Sequence, residues 1–418
     1  MNMVSKMVVV GVAGSLALVP GSAFGAGFAN TAQSATSTGL GGIGAANPDE
    51  PNSSYYNPAA MPLRDSFNVY LGPTLIMPLV KYEGPNGETS QTERAVLPPP
   101  NLHVSVPFTD TMAAGVGVVF PYGLTIEWPD DWVGRDEIRR QSLTTVDINP
   151  NFAYELDPAG LSFAVGAQFI LASVELENTT ILREDREVDA HLGGSAFGVG
   201  FTAAAMYRPI DPFTIGVNFR SGSKLDFDGL AHFEGEEGTP FEGTFVDQPI
   251  TTSITLPHAI VAGASYDLDK VFVEFDVGFT MWNAYDQVDL QFTRECQEGD
   301  TGCEPGVDTN PPTSTIVADW QDSPTFRLGV QYDVTESLPV RAGVAYDISP
   351  IPAETVGPSL PGNNRTVFSI GTGYTWNKIR GDLAYMAVIT SREIANGKQD
   401  GVYDTFASLV AINVGYGF

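Results

Sequence analysis

The chain is poor in positive charge: Lys and Arg number 21 against 50 Asp and Glu over 418 residues, a formal net charge of −29. A surface of that sign repels a phosphate backbone and argues against nucleic acid as a partner. Charge of either sign is scarce at 17% of residues, whereas Gly alone contributes 44. Long amphipathic helices need more charge and less Gly, which argues against helical bundles and doubly wound α/β folds. Histidine is limited to His103, His191, His232 and His258, with no H-E-x-x-H and no close pair in sequence, and no G-x-S-x-G occurs. Catalysis, a resident metal and a cofactor are therefore not expected. The two cysteines, Cys296 and Cys303, lie seven positions apart in a polar stretch. Without a nearby His they cannot complete a tetrahedral zinc site, and their spacing suits a small disulfide-closed loop in an oxidising compartment. Long apolar runs are missing too. The best of them, Met7 to Val19 behind Lys6, falls short of the ~20 residues a spanning helix needs. It leads into Ala23-Phe24-Gly25, with small residues at −3 and −1, so residues 1–25 read as a secretory signal cleaved before Ala26. An exported chain without spanning helices either floats in the periplasm or crosses a membrane as a barrel.

What the chain does have is alternation. Leu161, Phe163, Val165, Ala167, Phe169 and Leu171 share one face of a strand, against Ser162, Ala164, Gly166 and Gln168. Phe197, Val199, Phe201, Ala203, Ala205 and Tyr207 repeat the pattern, and Val402, Phe406, Val410, Ile412, Val414, Tyr416 and Phe418 close the chain with it. The opposite faces are small or polar and at places charged, as at Arg220, Glu274, Asp276, Arg327 and Arg341. A soluble sandwich alternates in the same way. The connections separate the two. Fourteen candidate strands, near 66–82, 96–108, 111–125, 140–155, 160–176, 193–208, 212–230, 250–267, 269–292, 317–333, 338–348, 364–376, 378–391 and 402–418, are joined by strictly alternating short and long links. Short turns such as Asp157-Pro158-Ala159 and Trp376-Asn377-Lys378 face long stretches such as 126–139, 177–192 and 293–316. An even strand count with short turns at one end and long loops at the other is the pattern of an all-β, 14-stranded antiparallel transmembrane barrel of the outer membrane of a Gram-negative bacterium. Tyr374, Trp376 and Tyr416 would sit in its interfacial girdle, and Phe418 would end a terminal strand offered to the barrel-assembly machinery.

Residues 26–65 do not alternate, and the barrel is expected to occupy 66–418. Gly39-Leu40-Gly41-Gly42-Ile43-Gly44 formally matches the dinucleotide fingerprint, but it follows polar Ser34 to Thr38 and precedes a Pro/Asn/Asp loop rather than lying in a βαβ unit. Small residues here, Gly39 and Gly41 among them, instead allow a segment to fold compactly inside a narrow lumen without clashing.

The residues resemble the FadL family of outer-membrane transporters for long-chain fatty acids and other hydrophobic molecules. The likeness is carried by Ala26-Gly27-Phe28, by Ser37 to Gly44, and by Asn57-Pro58-Ala59 closing the hatch. It continues in Phe120-Pro121-Tyr122-Gly123-Leu124, Asp131-Trp132-Val133-Gly134-Arg135, Asn149-Pro150-Asn151, Arg341 to Pro350 and Leu360-Pro361, in order through to Phe418. The resemblance implies uptake without energy coupling. A hydrophobic solute is caught near the outer loops, passes the hatch and leaves sideways into membrane lipid through an opening linked to a kink in the third strand. Here that strand carries Pro121 and Gly123; Pro lacks a ladder N–H and Gly tolerates bulges. Candidate ligand contacts are Phe28 at the start of the hatch and Arg135 as a carboxylate partner, although Arg135 has Asp130, Asp131 and Asp136 close by to pair with. Fatty acids are the leading solute and monoaromatic hydrocarbons the alternative. A hatchless diffusion porin or a structural surface barrel belongs to a different class.

Overall fold

The computed structural model describes residues 27–64, 66–156, 159–183, 186–234, 247–292 and 313–417. The signal segment, Cys296, Cys303 and Phe418 lie outside them. Fourteen antiparallel strands close into a barrel. They are β1 (Asn68–Glu83), β2 (Pro100–Thr109), β3 (Met112–Val119, resuming as Gly123–Glu127), β4 (Arg140–Leu156), β5 (Leu161–Arg183), β6 (Arg186–Ile210) and β7 (Phe213–Arg220, then Ser223–Glu234). Next come β8 (Gln248–Leu256, then His258–Asp267), β9 (Val271–Met281, then Gln287–Phe292 after a 3₁₀ turn, Trp282–Ala284) and β10 (Thr313–Val317, then Ser323–Thr335). Last are β11 (Leu338–Asp347), β12 (Arg365–Trp376), β13 (Ile379–Ile394) and β14 (Gly401–Tyr416). β14 pairs back onto β1 from Val69↔Tyr416 to Glu83↔Val402, which removes both sheet edges.

Burial is inverted relative to a soluble protein. Phe163, Phe169, Leu171, Phe197, Val199 and Phe201 are exposed, while Asp147, Glu274, Asp276, Arg341, Asp347 and Asp382 are buried. Alternation thus points apolar side chains at lipid and polar ones at the lumen, as a membrane barrel requires. Tyr374, Trp376 and Tyr416 remain exposed near the short-turn end. The turn after Trp376 places Asn377 at φ +55°, a conformation Asn tolerates better than most residues.

One expected long loop is absent. Residues 177–192 continue the ladder, with β5 and β6 paired from Glu177↔His191 to Ile181↔Glu187. The β-branched Thr179, Thr180, Ile181 and Val188 favour extension there despite the local charge.

The lumen is filled by residues 27–64, nearly all buried. Two short helices, α1 (Ala35–Gly39) and α2 (Ser53–Tyr56), and a 3₁₀ turn (Pro58–Leu63) form this hatch. Gly39 packs on Gly371, where a Cβ on Gly39 would lie 3.0 Å from the Gly371 Cα. Gly41 sits at φ +79° against the Val344 backbone. Asn57 caps the 3₁₀ turn by accepting from Ala59 N at 3.0 Å, and its amide donates to the Ala45 carbonyl at 2.6 Å. Pro58 takes the first position of that turn, where no N–H is needed. Ala59, Ala60 and Met61 then pack on Ala113, Ala153, Ala164, Ala204 and Met206 of the wall.

Wall side chains hold the hatch by its backbone. Gly44 N and Ala45 N donate to Asp276 Oδ2 at 3.1 and 3.2 Å, and Ala46 N donates to Glu274 Oε1 at 2.7 Å. Asn413 accepts from Ala35 N at 2.6 Å, and Asn151 donates to the Ser54 carbonyl at 2.9 Å. Removing Glu274 and Asp276 together by alanine substitution strands three buried N–H groups, at about 1–3 kcal/mol each. Amide exchange at residues 44–46 is expected to accelerate while the barrel stays folded; unchanged protection there would count against this anchoring.

Candidate functional site

Above the hatch, on the long-loop side, lies a cavity of about 460 Å³. Leu124, Leu143, Val174, Phe227, Ile254 and Leu290 make its walls apolar, and Phe28 and Tyr285 belong to its lining. Charged groups on the lining are Asp136, Glu137, Glu177 and Lys398. The outer loops close over it by specific contacts. Trp128 and Trp132 stack at 4.3 Å, and Trp128 Nε1 reaches the Pro358 carbonyl at 3.4 Å. The Asn396 amide donates to the carbonyls of Ala353 and Val356 at 3.0 and 2.9 Å, tying the last loop to its neighbour. Gln399, held at φ +56°, donates to Tyr82 Oη at 2.8 Å. Between these two fastened residues stands Lys398, half-buried, with no ion pair for its ammonium among the described residues.

Phe28 fills an aromatic box. Its ring lies edge-on to Trp282 at 4.8 Å, Tyr285 at 5.4 Å and Tyr122 at 6.0 Å, and tilted to Trp320 at 5.5 Å. Gly27 makes this approach possible. It takes φ +59°, and a Cβ there would meet Trp282 at 2.7 Å.

Directly beside the box, β3 breaks between Val119 and Gly123. The segment below the break pairs with β2 and β4, whereas Gly123–Glu127 pairs with β4 alone. Pro121 and Gly123 therefore both sit at an interruption on the β2 side of the wall. The hatch supplies the missing partners. Gly123 N donates to the Phe28 carbonyl at 2.9 Å, and Asn30 N donates to the Pro121 carbonyl at 2.8 Å. Gln33 takes both polar groups of Phe120, donating to its carbonyl at 2.8 Å and accepting from its N–H at 2.9 Å. Thr145 of β4 serves Tyr122 in the same way, its Oγ accepting from the Tyr122 N–H at 3.1 Å and donating to the carbonyl at 2.7 Å. The first residues of the hatch thus act as a surrogate strand, and a hatch that moves here unseats the wall with it.

Arg135 stands apart from this arrangement. Its guanidinium pairs with Glu187 at the top of β6 rather than with Asp130, Asp131 or Asp136, and it is not on the cavity lining, although Asp136, Glu137 and Ile138 are. Lys398, Asn30 and Gln33 carry no signal of the kind a motif gives. The available hints were an Asn-Gly turn presenting a rare Lys, and two amides three residues apart just after Phe28. Ser54 and His103, far apart in sequence, meet at 2.9 Å. The other ring nitrogen of His103 lies 3.2 Å from the Gln33 carbonyl, so the pair acts as a strut between hatch and β2.

Comparison with known proteins places this geometry. Residues 16–418 match the model of the family described as outer membrane protein transport protein (OMPP1/FadL/TodX). The long-chain fatty acid transport protein of Escherichia coli O6:H1 is 26% identical over 408 residues, covering 87% of this chain and 86% of that protein. Among solved structures, a Pseudomonas aeruginosa FadL homologue superposes with TM-score 0.78 at 19% identity, covering 94% of this chain and 99% of that one. The Ralstonia pickettii toluene transporter TbuX superposes with TM-score 0.70 at 15% identity, covering 92% and 98%. At those identities the structural likeness speaks for the fold alone. With the family match spanning nearly the whole chain, this protein belongs to the OMPP1/FadL/TodX family of outer-membrane proteins that transport hydrophobic compounds.

Proposed function

We propose that the protein takes up long-chain fatty acids passively, catching them in the outer cavity, passing them by Phe28 and releasing them sideways at the break in β3. The observation that carries this reading is the shared position of Phe28, whose ring lines the cavity at the start of the hatch and whose own carbonyl completes the broken strand. Burial of an acyl chain contributes about 0.8 kcal/mol per CH₂. A dry path from cavity to bilayer keeps that gain, whereas a water-filled pore forfeits it. Lys398 is the natural partner for the carboxylate, through a charge-assisted hydrogen bond in apolar surroundings. Arg135, already engaged by Glu187, is the second candidate.

A second reading, uptake of monoaromatic hydrocarbons, is favoured by the aromatic box, whose four rings suit a ligand ring as well as they suit Phe28. Binding of oleate and of toluene to the detergent-folded protein separates the two. Lys398→Ala is expected to weaken oleate by about 1.5–3 kcal/mol, or roughly tenfold to a hundredfold, and to leave toluene untouched. Arg135→Ala is expected to have the smaller effect. Oleate binding indifferent to both substitutions, together with tight toluene binding, would move the assignment to hydrocarbons.

A further inference from the structure

The wall has a second discontinuity, and it borders the same cavity. β6 and β7 are paired from Tyr207↔Ile215 to Thr202↔Arg220, and again from Ser195↔Asp228 to Asp189↔Glu234. In between, residues 196–201 of β6 and 221–227 of β7 stand outside the ladder. They are joined only where Ser221 N donates to the Phe201 carbonyl at 2.9 Å and Phe201 N donates to Ser221 Oγ at 2.8 Å. The other flank is also loose. The upper part of β8 meets β9 at Ile250↔Phe292 and Thr251↔Gln291, and pairing resumes only at His258↔Met281.

Ser223–Glu234 and Gln248–Leu256 therefore form a two-stranded panel. It is continuous within itself, from Ser223↔Leu256 to Ala231↔Gln248, yet tied to its neighbours only along its outer end. At its base the chain passes through Gly222 and through Pro257, which has no N–H to offer a ladder. At its outer end His232 faces His191 across the strand pair, and its ring nitrogens meet Asp247 at 2.7 Å and Glu234 at 2.9 Å. Phe227, Thr252 and Ile254 of the panel line the cavity.

The two lips of the seam differ in chemistry. β6 exposes Phe197, Val199 and Phe201 by more than half. β7 exposes Lys224, Asp226 and Asp228, with the Lys224 ammonium 2.6 Å from Asp226. Strand edges left unpaired in hydrocarbon are costly, so an unpaired stretch persists where charge keeps headgroups and water at one lip. An amphiphile from the outer leaflet matches both lips, its chain along the aromatic side and its head beside the charged side. The strands touch without being stapled, since a Cβ on Gly198 would press on the Ser223 hydroxyl and, at 2.6 Å, on Leu225.

We infer that the β6–β7 seam is a side entrance to the outer cavity, through which long-chain amphiphiles pass from the outer leaflet as the panel swings on Gly222 and Pro257. The inference rests on the reading of the cavity as the capture site. It separates the way in, between β6 and β7, from the way out, at the break in β3.

The test is a Gly198→Cys/Ser223→Cys protein on a Cys296→Ser/Cys303→Ser background, reconstituted in phospholipid vesicles. A fluorescent long-chain fatty acid is supplied either in the leaflet or from water on a carrier protein. Oxidation is expected to slow capture from the leaflet about tenfold or more, to leave capture from water nearly unchanged, and to be reversed by reductant. Equal leaflet capture before and after oxidation would overturn the side entrance alone. Failure of the reduced protein to bind by either route would overturn the capture site, and the entrance with it. Amide exchange in the unsubstituted protein gives an independent readout. The seam-facing amides among residues 196–200 and 222–227, whose other amides bond to β5 and β8, should exchange about tenfold faster than the β7-bonded amides of residues 203–207, and equal protection would overturn the proposal.

Discussion

Replacing Gln33 with leucine should leave a folded barrel that leaks hydrophobic solutes sideways. Gln33 makes three buried hydrogen bonds, two to Phe120 at the break in β3 and one to the Asn30 carbonyl at 3.0 Å. Leucine fills the volume but leaves the Phe120 N–H without a partner, at a cost of about 1–3 kcal/mol, while the Phe120 carbonyl keeps only the Asn30 amide at 3.2 Å. That cost falls on the closed arrangement alone, because a parted hatch and wall have already given up these bonds. A shift of about 1–3 kcal/mol changes the ratio of open to closed forms by roughly fivefold to a hundredfold. Release of a membrane-partitioning dye into vesicles should become faster and lose its saturation at high dye concentration. Wild-type release rates in Gln33→Leu would dissociate the hatch from the wall opening.

Phe28→Ala should act in the opposite sense on small aromatic ligands. The substitution removes a ring held by Tyr122, Trp282, Tyr285 and Trp320, and truncations of this kind cost about 3–5 kcal/mol where the surroundings cannot collapse. Two tryptophans anchored in wall turns have little room to follow, and an apolar void of this type stays dry and accepts aromatic guests. Toluene affinity should rise by at least about tenfold, equivalent to 1.4 kcal/mol, with a change in tryptophan fluorescence as the reporter. Oleate, whose chain on the proposed reading fills the larger cavity above, should change less. Unaltered toluene binding would mean that Phe28 holds no place a ligand can use.

The barrel was readable because period-two alternation and alternating link lengths are local properties, and both survive in Leu161 to Leu171 or Phe197 to Tyr207 without reference to the rest of the chain. The second break was not. Pro121 and Gly123 mark one position where pairing is awkward, but Gly198 and Gly222 resemble any barrel glycine, and only the register of two distant strands reveals that they flank an unpaired stretch. Loop 177–192 was misjudged because its charges look like a solvated connection while its β-branched residues extend the hairpin. For the site, Phe28 was legible through a motif, whereas Gln33 and Lys398 acquire meaning only from what lies opposite them. Arg135 illustrates the reverse hazard: near neighbours in sequence suggested its partners, and the ladder brought Glu187 instead.

The hatch precedes every strand in the chain, yet its anchors are spread over the whole barrel, from Asn151 to Asp276 to Asn413, the last 378 residues from its partner Ala35. No subset of the first strands offers that collection, so the segment made first cannot settle until β14 has met β1. Closure of so long a loop is entropically slow and has to come before the local contacts it permits. The chain thus emerges with its most polar-matched segment unsatisfied, and the final strand decides when the interior becomes dry. A chain stalled before β14 would keep residues 27–64 accessible to protease, which makes hatch protection a clock for the last step of assembly.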